Sequence, residues 1–265
     1  MNKKPALSRA LQAAPGAGSE VAAAALNRRP PRQRPARLLA ALLLAVAGAG
    51  VAGQTPPAGT ADPLEGGWLE RLQEKLDRTR SFRARFTQEY EPRAFSRRQT
   101  EGGTVVFLRP GRIRWDYEWP EPKLALCDGA QAWIYLPDEK RAEVEPLEAL
   151  GDDAPAVQIL LGRWRLRDRF RLEAVSRAQG EITLHLVPEP AVEAVKAVRI
   201  ALVEADLTLR AVETEEAGGN LLRYRFEGWE DGVPVSEAVF RFEPPAGVEV
   251  AVGEGARPSS RSARP

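Results

Sequence analysis

Two periodicities divide the chain. From Pro63 to Thr79 the apolar residues Leu64, Trp68, Leu69, Leu72 and Leu76 recur at helical spacing, with Glu, Arg and Lys between them. This predicts one amphipathic helix lying on an apolar surface. Asp62 suits its N-cap and Pro63 its first turn, where a missing N–H costs nothing. At Ser81 the period changes to two: Phe82, Ala84 and Phe86 alternate with Arg83, Arg85 and Thr87, so one side of that strand is apolar and the other wet. Comparable segments follow at 103–109, 112–118, 123–128, 131–136, 141–145, 170–175, 181–187, 197–204, 207–215, 220–228 and 238–243. Turn chemistry separates most of them, as in Arg109-Pro110-Gly111, Asp128-Gly129, Pro137-Asp138, Gln179-Gly180, Gly218-Gly219-Asn220 and Asp231-Gly232. Short strands at such spacing predict an antiparallel all-β meander. The pattern breaks at 147–163. There Asp152-Asp153 can cap a helix, Pro155 suits its start, and Ala156, Val157, Ile159, Leu160 and Leu161 form an apolar run that stops at Gly162. Its apolar face is wide for so short a helix, so it either plugs the concave side of the sheet or partly covers a site.

Ahead of these elements the chain has another character. Asn27 to Arg37 is strongly basic, and Leu38 to Ala47 is apolar and continues in small residues to Gly53. A positive segment, a modest apolar stretch and small residues together read as a secretory signal peptide. The run is too short and Gly-rich for a membrane span, which needs about 18–20 apolar residues. Cleavage after Ala49 or after Gly53 suits the small-residue rule equally. The expected organisation is an N-terminal extension and signal peptide over 1–53, a linker over 54–62, a single domain over 63–252 and a disordered tail over 253–265. A body of roughly 200 residues suits one all-β unit.

Composition then removes several classes of function. Lys and Arg number 38 against 37 Asp and Glu, a formal net charge of +1, so nothing draws the protein toward nucleic acid or an anionic membrane. Cys127 is the only cysteine and His185 the only histidine. An internal disulfide is therefore impossible, and zinc sites or Cys–His and Ser–His–Asp chemistry lack the residues they need. Cys127 reads as a small buried hydrophobe, and His185 lies within an alternating strand. Glu101, Asp116, Glu118 and Asp128 could be nominated as a catalytic acid pair, but nothing in their spacing selects them from a solvated strand face. No nucleophile elbow, phosphate loop or HExxH is present. The residues predict no enzyme, no cofactor and no metal.

Four blocks in order carry a resemblance. They are Ser81-Phe82-Arg83-Ala84-Arg85-Phe86-Thr87-Gln88; Phe107-Leu108-Arg109-Pro110-Gly111-Arg112-Ile113-Arg114-Trp115-Asp116-Tyr117; Asp128-Gly129-Ala130-Gln131-Ala132-Trp133-Ile134-Tyr135; and Phe240-Arg241-Phe242-Glu243-Pro244-Pro245-Ala246-Gly247-Val248. Together they resemble the LolA family of periplasmic outer-membrane lipoprotein carriers. The resemblance implies a mainly β fold, an incomplete, half-open antiparallel β-barrel with an N-terminal helix and a short helical lid over an apolar cavity. It implies a monomeric, non-catalytic periplasmic protein that is exported through a cleaved signal peptide and shelters the acyl chains of lipoproteins. Its partners would be the lipoprotein cargo, an inner-membrane lipoprotein-releasing ABC transporter and an outer-membrane lipoprotein acceptor.

The same resemblance selects cargo and lid residues. Arg109 matches the family's lid-locking arginine, its guanidinium expected to donate to lid carbonyls. Ile113 stands where the family has an aromatic ring, which keeps that position apolar, and Trp115 matches the family's tryptophan. Phe107, Trp115 and Trp133 would line the cavity and Val157, Ile159, Leu160 and Leu161 would form the lid. Trp68, Trp164 and Trp229 read as framework. The alternative on the same scaffold is an RseB-like envelope sensor that binds lipid and represses signalling through a membrane partner.

Overall fold

Alternating strands build nearly all of the computed structural model, which describes residues 61–62, 67–94, 98–151, 155–253 and 256. The segment expected to be a signal peptide, most of the expected linker, Pro63, the expected Asp152-Asp153 cap and most of the expected tail lie outside the described residues. Among the described residues the strands are β1 (Ala61–Asp62), β2 (Ser81–Glu91), β3 (Gln99–Leu108), β4 (Arg112–Trp119), β5 (Lys123–Asp128), β6 (Gln131–Leu136), β7 (Arg141–Pro146), β8 (Phe170–Ala178), β9 (Glu181–Pro188), β10 (Val195–Val203), β11 (Leu209–Glu216), β12 (Leu221–Asp231) and β13 (Glu249–Val252). The helices are α1 (Trp68–Arg78), α2 (Pro155–Leu160) and α3 (Leu166–Arg169).

The strands form one sheet in the order β1-β8-β9-β10-β11-β12-β2-β3-β4-β5-β6-β7-β13. Two antiparallel meanders, β2–β7 and β8–β12, are thus joined where the last strand of the second pairs with the first of the first, with Phe226 opposite Phe86. The chain crosses from β7 to β8 through the segment that holds α2 and α3, and β7 and β8 do not pair. The sheet therefore curves without closing, the half-open barrel expected from the sequence. Its two free edges would be open templates for pairing; the two-residue β1 covers β8 and β13 covers β7.

Three features differ from the reading of the sequence. The helix begins at Trp68 rather than Pro63, because Gly67 before it is left-handed at φ 56°, and Asp62 pairs with Val175 instead of capping. Residues 238–243 are not a strand. Glu237–Phe240 is a single 3₁₀ turn capped by the Ser236 hydroxyl, and the alternation of Phe240 and Phe242 serves to lay a strap on the sheet instead. Finally, β13 runs parallel to β7, pairing Glu249 with Arg141 and Val252 with Val144, so the sheet is not purely antiparallel.

The apolar positions fall into two clusters. The main one lies on the concave face and takes the inward residues of most strands, among them Phe82, Phe86, Val105, Phe107 and Trp115, together with Trp68, Leu69 and Leu72 of α1. The second gathers Val106, Leu124, Leu126, Trp133, Val144 and Phe240. Val106 sits between Val105 and Phe107, so by strand alternation this cluster lies on the opposite face. On the other meander that outer face is charged: Arg199 and Arg223 both bind Glu213, and Arg223 and Arg225 reach Glu89.

Candidate functional site

The lid segment enters the concave face and fills it. Pro155 opens α2 because it needs no N–H partner there. Gly162 closes it with φ 66°, its N–H bonding Ile159 O at 3.0 Å while Arg163 N–H bonds Gln158 O at 3.1 Å. That pair of bonds is a Schellman ending, which favours glycine at the left-handed position. Every side chain of α2 is buried. Ala156, Val157, Ile159, Leu160 and Leu161 belong to the same cluster as Phe107, Ile113 and Trp115. A helix of six residues is marginal alone, so this packing is what holds it.

Its remaining attachments are side-chain clasps. Gln158 is 3% exposed, and its amide donates to Leu150 O at 2.9 Å and Gly151 O at 3.1 Å. Its own oxygen has no hydrogen-bond partner. Arg163 Nη1 donates to Leu147 O at 2.9 Å, tying together the two ends of the lid segment.

Arg109 stands at the junction of lid, sheet and α1. Its Nη2 donates to Leu76 O at 2.6 Å and its Nε to Thr79 O at 3.2 Å. Leu76 O lies in the last turn of α1, where it also accepts the Thr79 N–H at 3.2 Å, and Thr79 is the C-cap, so both carbonyls stand at the negative end of the helix dipole. The resemblance implies donation to lid carbonyls; the guanidinium instead caps α1. It reaches the lid by contact: a Cβ on Gly162 would lie 3.0 Å from Nη1. The glycine therefore serves both the helix ending and the passage of the arginine.

Of the other predicted residues, Phe107, Ile113 and Trp115 are brought together with the lid. Phe107 stacks on Phe82 at 5.2 Å and pairs across the strands with Ile113. Trp115 meets the edge of Phe86 at 4.7 Å and the ring of Tyr224 at 5.2 Å. Trp133 is not brought to this face. The Asp128-Gly129 turn sets Cys127 opposite Ala132, Ala132 faces the main cluster, and its neighbour Trp133 must point the other way, into the outer cluster. Trp68 and Trp164 are buried in the main cluster, with Trp229 packed against it.

Gln158 and Arg163 are absent from the residues that the sequence selects. A signal for Gln158 exists, since it is a lone polar residue inside Ala156 to Leu161. Arg163 carries no such signal.

One end of the concave face is polar. The buried Tyr117 hydroxyl donates to Gln88 Oε1 at 2.7 Å, and burial pushes the Tyr117 and Tyr224 phenols up from their ordinary range. Beside them Lys123 and Glu101 form an ion pair at 2.6 Å.

The carboxylates nominated for catalysis each have a structural partner. Glu101 has Lys123, Asp116 binds Arg114 at 2.7 Å, Glu118 accepts from Thr104, and Asp128 accepts from the N–H groups of Ala130 and Gln131. Cys127 is buried in the main cluster, which pushes its thiol up to about 12. His185 shares a hydrogen bond with Ser176 at 3.1 Å, and burial holds its imidazole below its ordinary range.

The sheet is thus unclosed, and its apolar concavity is stoppered by a segment of its own chain. A family model described as outer membrane lipoprotein carrier protein LolA matches residues 77–243. The chain belongs to the LolA family. It is 31% identical over 188 residues to the outer-membrane lipoprotein carrier protein of Dechloromonas aromatica, covering 71% of this chain and 88% of that one. It is 32% identical over 180 residues to that of Methylococcus capsulatus, covering 68% and 85%. Among solved structures it is similar to a LolA superfamily protein from Nitrosomonas europaea, at 12% identity and a TM-score of 0.39, covering 66% of this chain and 97% of the other.

Proposed function

We propose that this protein carries the acyl chains of lipoproteins across the periplasm, from an inner-membrane releasing ABC transporter to an outer-membrane acceptor. Export through a signal peptide within the N-terminal extension and signal segment at 1–53, cleavage before the body and a monomeric working state belong to the same reading. The body performs no bond chemistry; its task is reversible burial. The observation that carries this is the lid, an apolar plug packed into the concave face and fastened by a few side-chain bonds rather than by a backbone ladder.

Magnitudes explain why such a plug is useful. An acyl chain of about fifteen methylenes gains about 12 kcal/mol on burial, at about 0.8 kcal/mol each. Val157, Ile159, Leu160 and Leu161 gain about 1.5–3 kcal/mol apiece when fully buried, so displacing them costs about 6–12 kcal/mol, an upper bound. Displacing the plug thus offsets the burial of about one acyl chain of the cargo. An open cavity would hold its ligand almost irreversibly, whereas a competing plug weakens that hold.

Arg109 biases that exchange. Its bonds to Leu76 and Thr79 and its contact with Gly162 belong to the closed, empty arrangement, and stripping this part-buried donor of its acceptors costs at most about 1–3 kcal/mol. Cargo that moves α1 away from the turn carrying Arg109 would meet that cost, which favours release. Replacing Arg109→Leu should slow transfer of a loaded lipoprotein to acceptor membranes by roughly tenfold; an unchanged transfer rate would remove this role.

The reading as a whole is tested by native mass spectrometry of the protein purified from the periplasm of its host. A triacylated lipoprotein bound one-to-one is the expected result. Free phospholipid would keep the cavity and change the cargo. An empty protein that captures a single membrane-anchored regulator would favour the sensor reading.

A further inference from the structure

A cleft of about 520 Å³ opens where the lid segment leaves and rejoins the sheet, beside the turn that carries Arg109. Its lining changes character over a short distance. Leu147 and Leu161 are buried members of the main apolar cluster. Around them stand three guanidinium groups, Arg109, Arg112 and Arg163, and two carboxylates, Asp128 and Glu148. Arg112 is held 3.5 Å from Glu237, Arg163 rests on Leu147 O, and Asp128 is spent on the turn N–H groups, while Glu148 is exposed. The cleft is thus a place where the interior apolar surface gives way to paired donors and acceptors.

We propose that this cleft holds the first residues of the cargo polypeptide, those that follow its acylated residue; the proposal rests on the carrier reading above. A molecule whose acyl chains lie in the concave face must bring its polar remainder out where the apolar lining ends. Each residue of a peptide offers one N–H and one C=O, which suits a lining with both carboxylates and guanidiniums. A phosphate headgroup offers acceptors only and would leave the exposed carboxylate of Glu148 without a donor. The volume lies within the range of about 300–1,000 Å³ that holds a small ligand, room for a short segment and not for a folded domain. Contacts to backbone rather than to particular side chains would let one carrier accept cargo of differing sequence.

The test places the photo-crosslinking residue benzoylphenylalanine at Glu148, at Val157 in the lid and at Glu121 on an exposed loop as control, in the full chain loaded with a purified triacylated lipoprotein. Crosslinks from position 148 to the cargo residues next to the acylated one, at yields at least tenfold above position 121, are expected. Crosslinks from 157 with none from 148 would overturn the cleft and leave the carrier reading intact. Crosslinks from 148 to phospholipid would also overturn it. No cargo crosslink from 148 or 157 would remove the carrier reading and the cleft with it.

Discussion

Two short segments cover apolar faces of the same sheet, and they are attached in opposite ways. The lid lies inside, where Val157, Ile159, Leu160 and Leu161 pack on the concave face and Gln158 and Arg163 clasp its ends. The C-terminal strap lies outside. There Phe240 fills the second cluster, Phe242 meets Trp133 at 5.4 Å and Tyr135 at 5.2 Å, and β13 then joins β7 in a continuous backbone ladder. Gly253 N–H adds a bond to Val144 O at 2.8 Å. A ladder loses its bonds together, whereas side-chain clasps release singly. Both covers hide apolar surface, but only the outer one is held by a backbone ladder.

The largest expected effect tests the permanent cover. Trp133→Ala should lower the stability of the protein by about 3–5 kcal/mol, the usual result of deleting a buried large ring, read from denaturant unfolding. Cargo loading per folded molecule should stay unchanged. If loading falls while stability holds, Trp133 serves the cargo face and the division between covers is wrong.

A smaller effect should follow from loosening the lid. Gln158→Glu withdraws the donor from Leu150 O and Gly151 O and puts a carboxyl in an apolar place, at a cost of about 2–3 kcal/mol to the closed lid. Cys127 offers a reporter. Burial pushes its thiol up to about 12, so the native protein should react with maleimide far more slowly than a free cysteine. Desolvation raises the pKa of a buried carboxyl. The variant's closed lid is therefore retained at low pH and lost as pH rises through that raised value. The ratio of variant to native labelling rates should be large at pH 8 and approach one at pH 5; a ratio independent of pH would show that charge burial is not what opens the lid.

Gly162→Ala should act least, at about 1 kcal/mol for a side chain in the left-handed region, with Arg109 pressed aside in addition. Hydrogen exchange at 155–163 should quicken, while the amides of β13 keep their protection. Equal loss of protection at both would mean that the two covers open as one unit.

Much of this is legible in the sequence because it rests on local patterns. Alternation marks the strands from β2 to β12, since side chains on a half-buried sheet must alternate. Pro155 and Gly162 bound the lid, because each supplies backbone geometry that few other residues tolerate. Of the candidate site, Phe107, Ile113, Trp115 and the lid residues are named by the sequence and do meet in one cluster. Where prediction fails, a pattern has two physical meanings. Phe240 and Phe242 alternate as a strand would, yet a strap over a sheet needs the same alternation, and only the pairing partner distinguishes them. Trp133 is assigned by its kind rather than by its face; a single residue of register at the turn before β6 decides that.

The sequence by itself determined that the body is a β meander with one amphipathic helix and one apolar insertion, because hydrophobic period is a property of neighbouring residues. The tertiary structure decided which apolar residues share a face, that Arg109 bonds the end of α1 while touching the lid at Gly162, and that one cover is clasped and the other laddered. Those outcomes depend on groups far apart in the chain, such as Arg109 and Leu76 or Val252 and Val144. Such pairs have no signature in local spacing and come together only when the sheet curves.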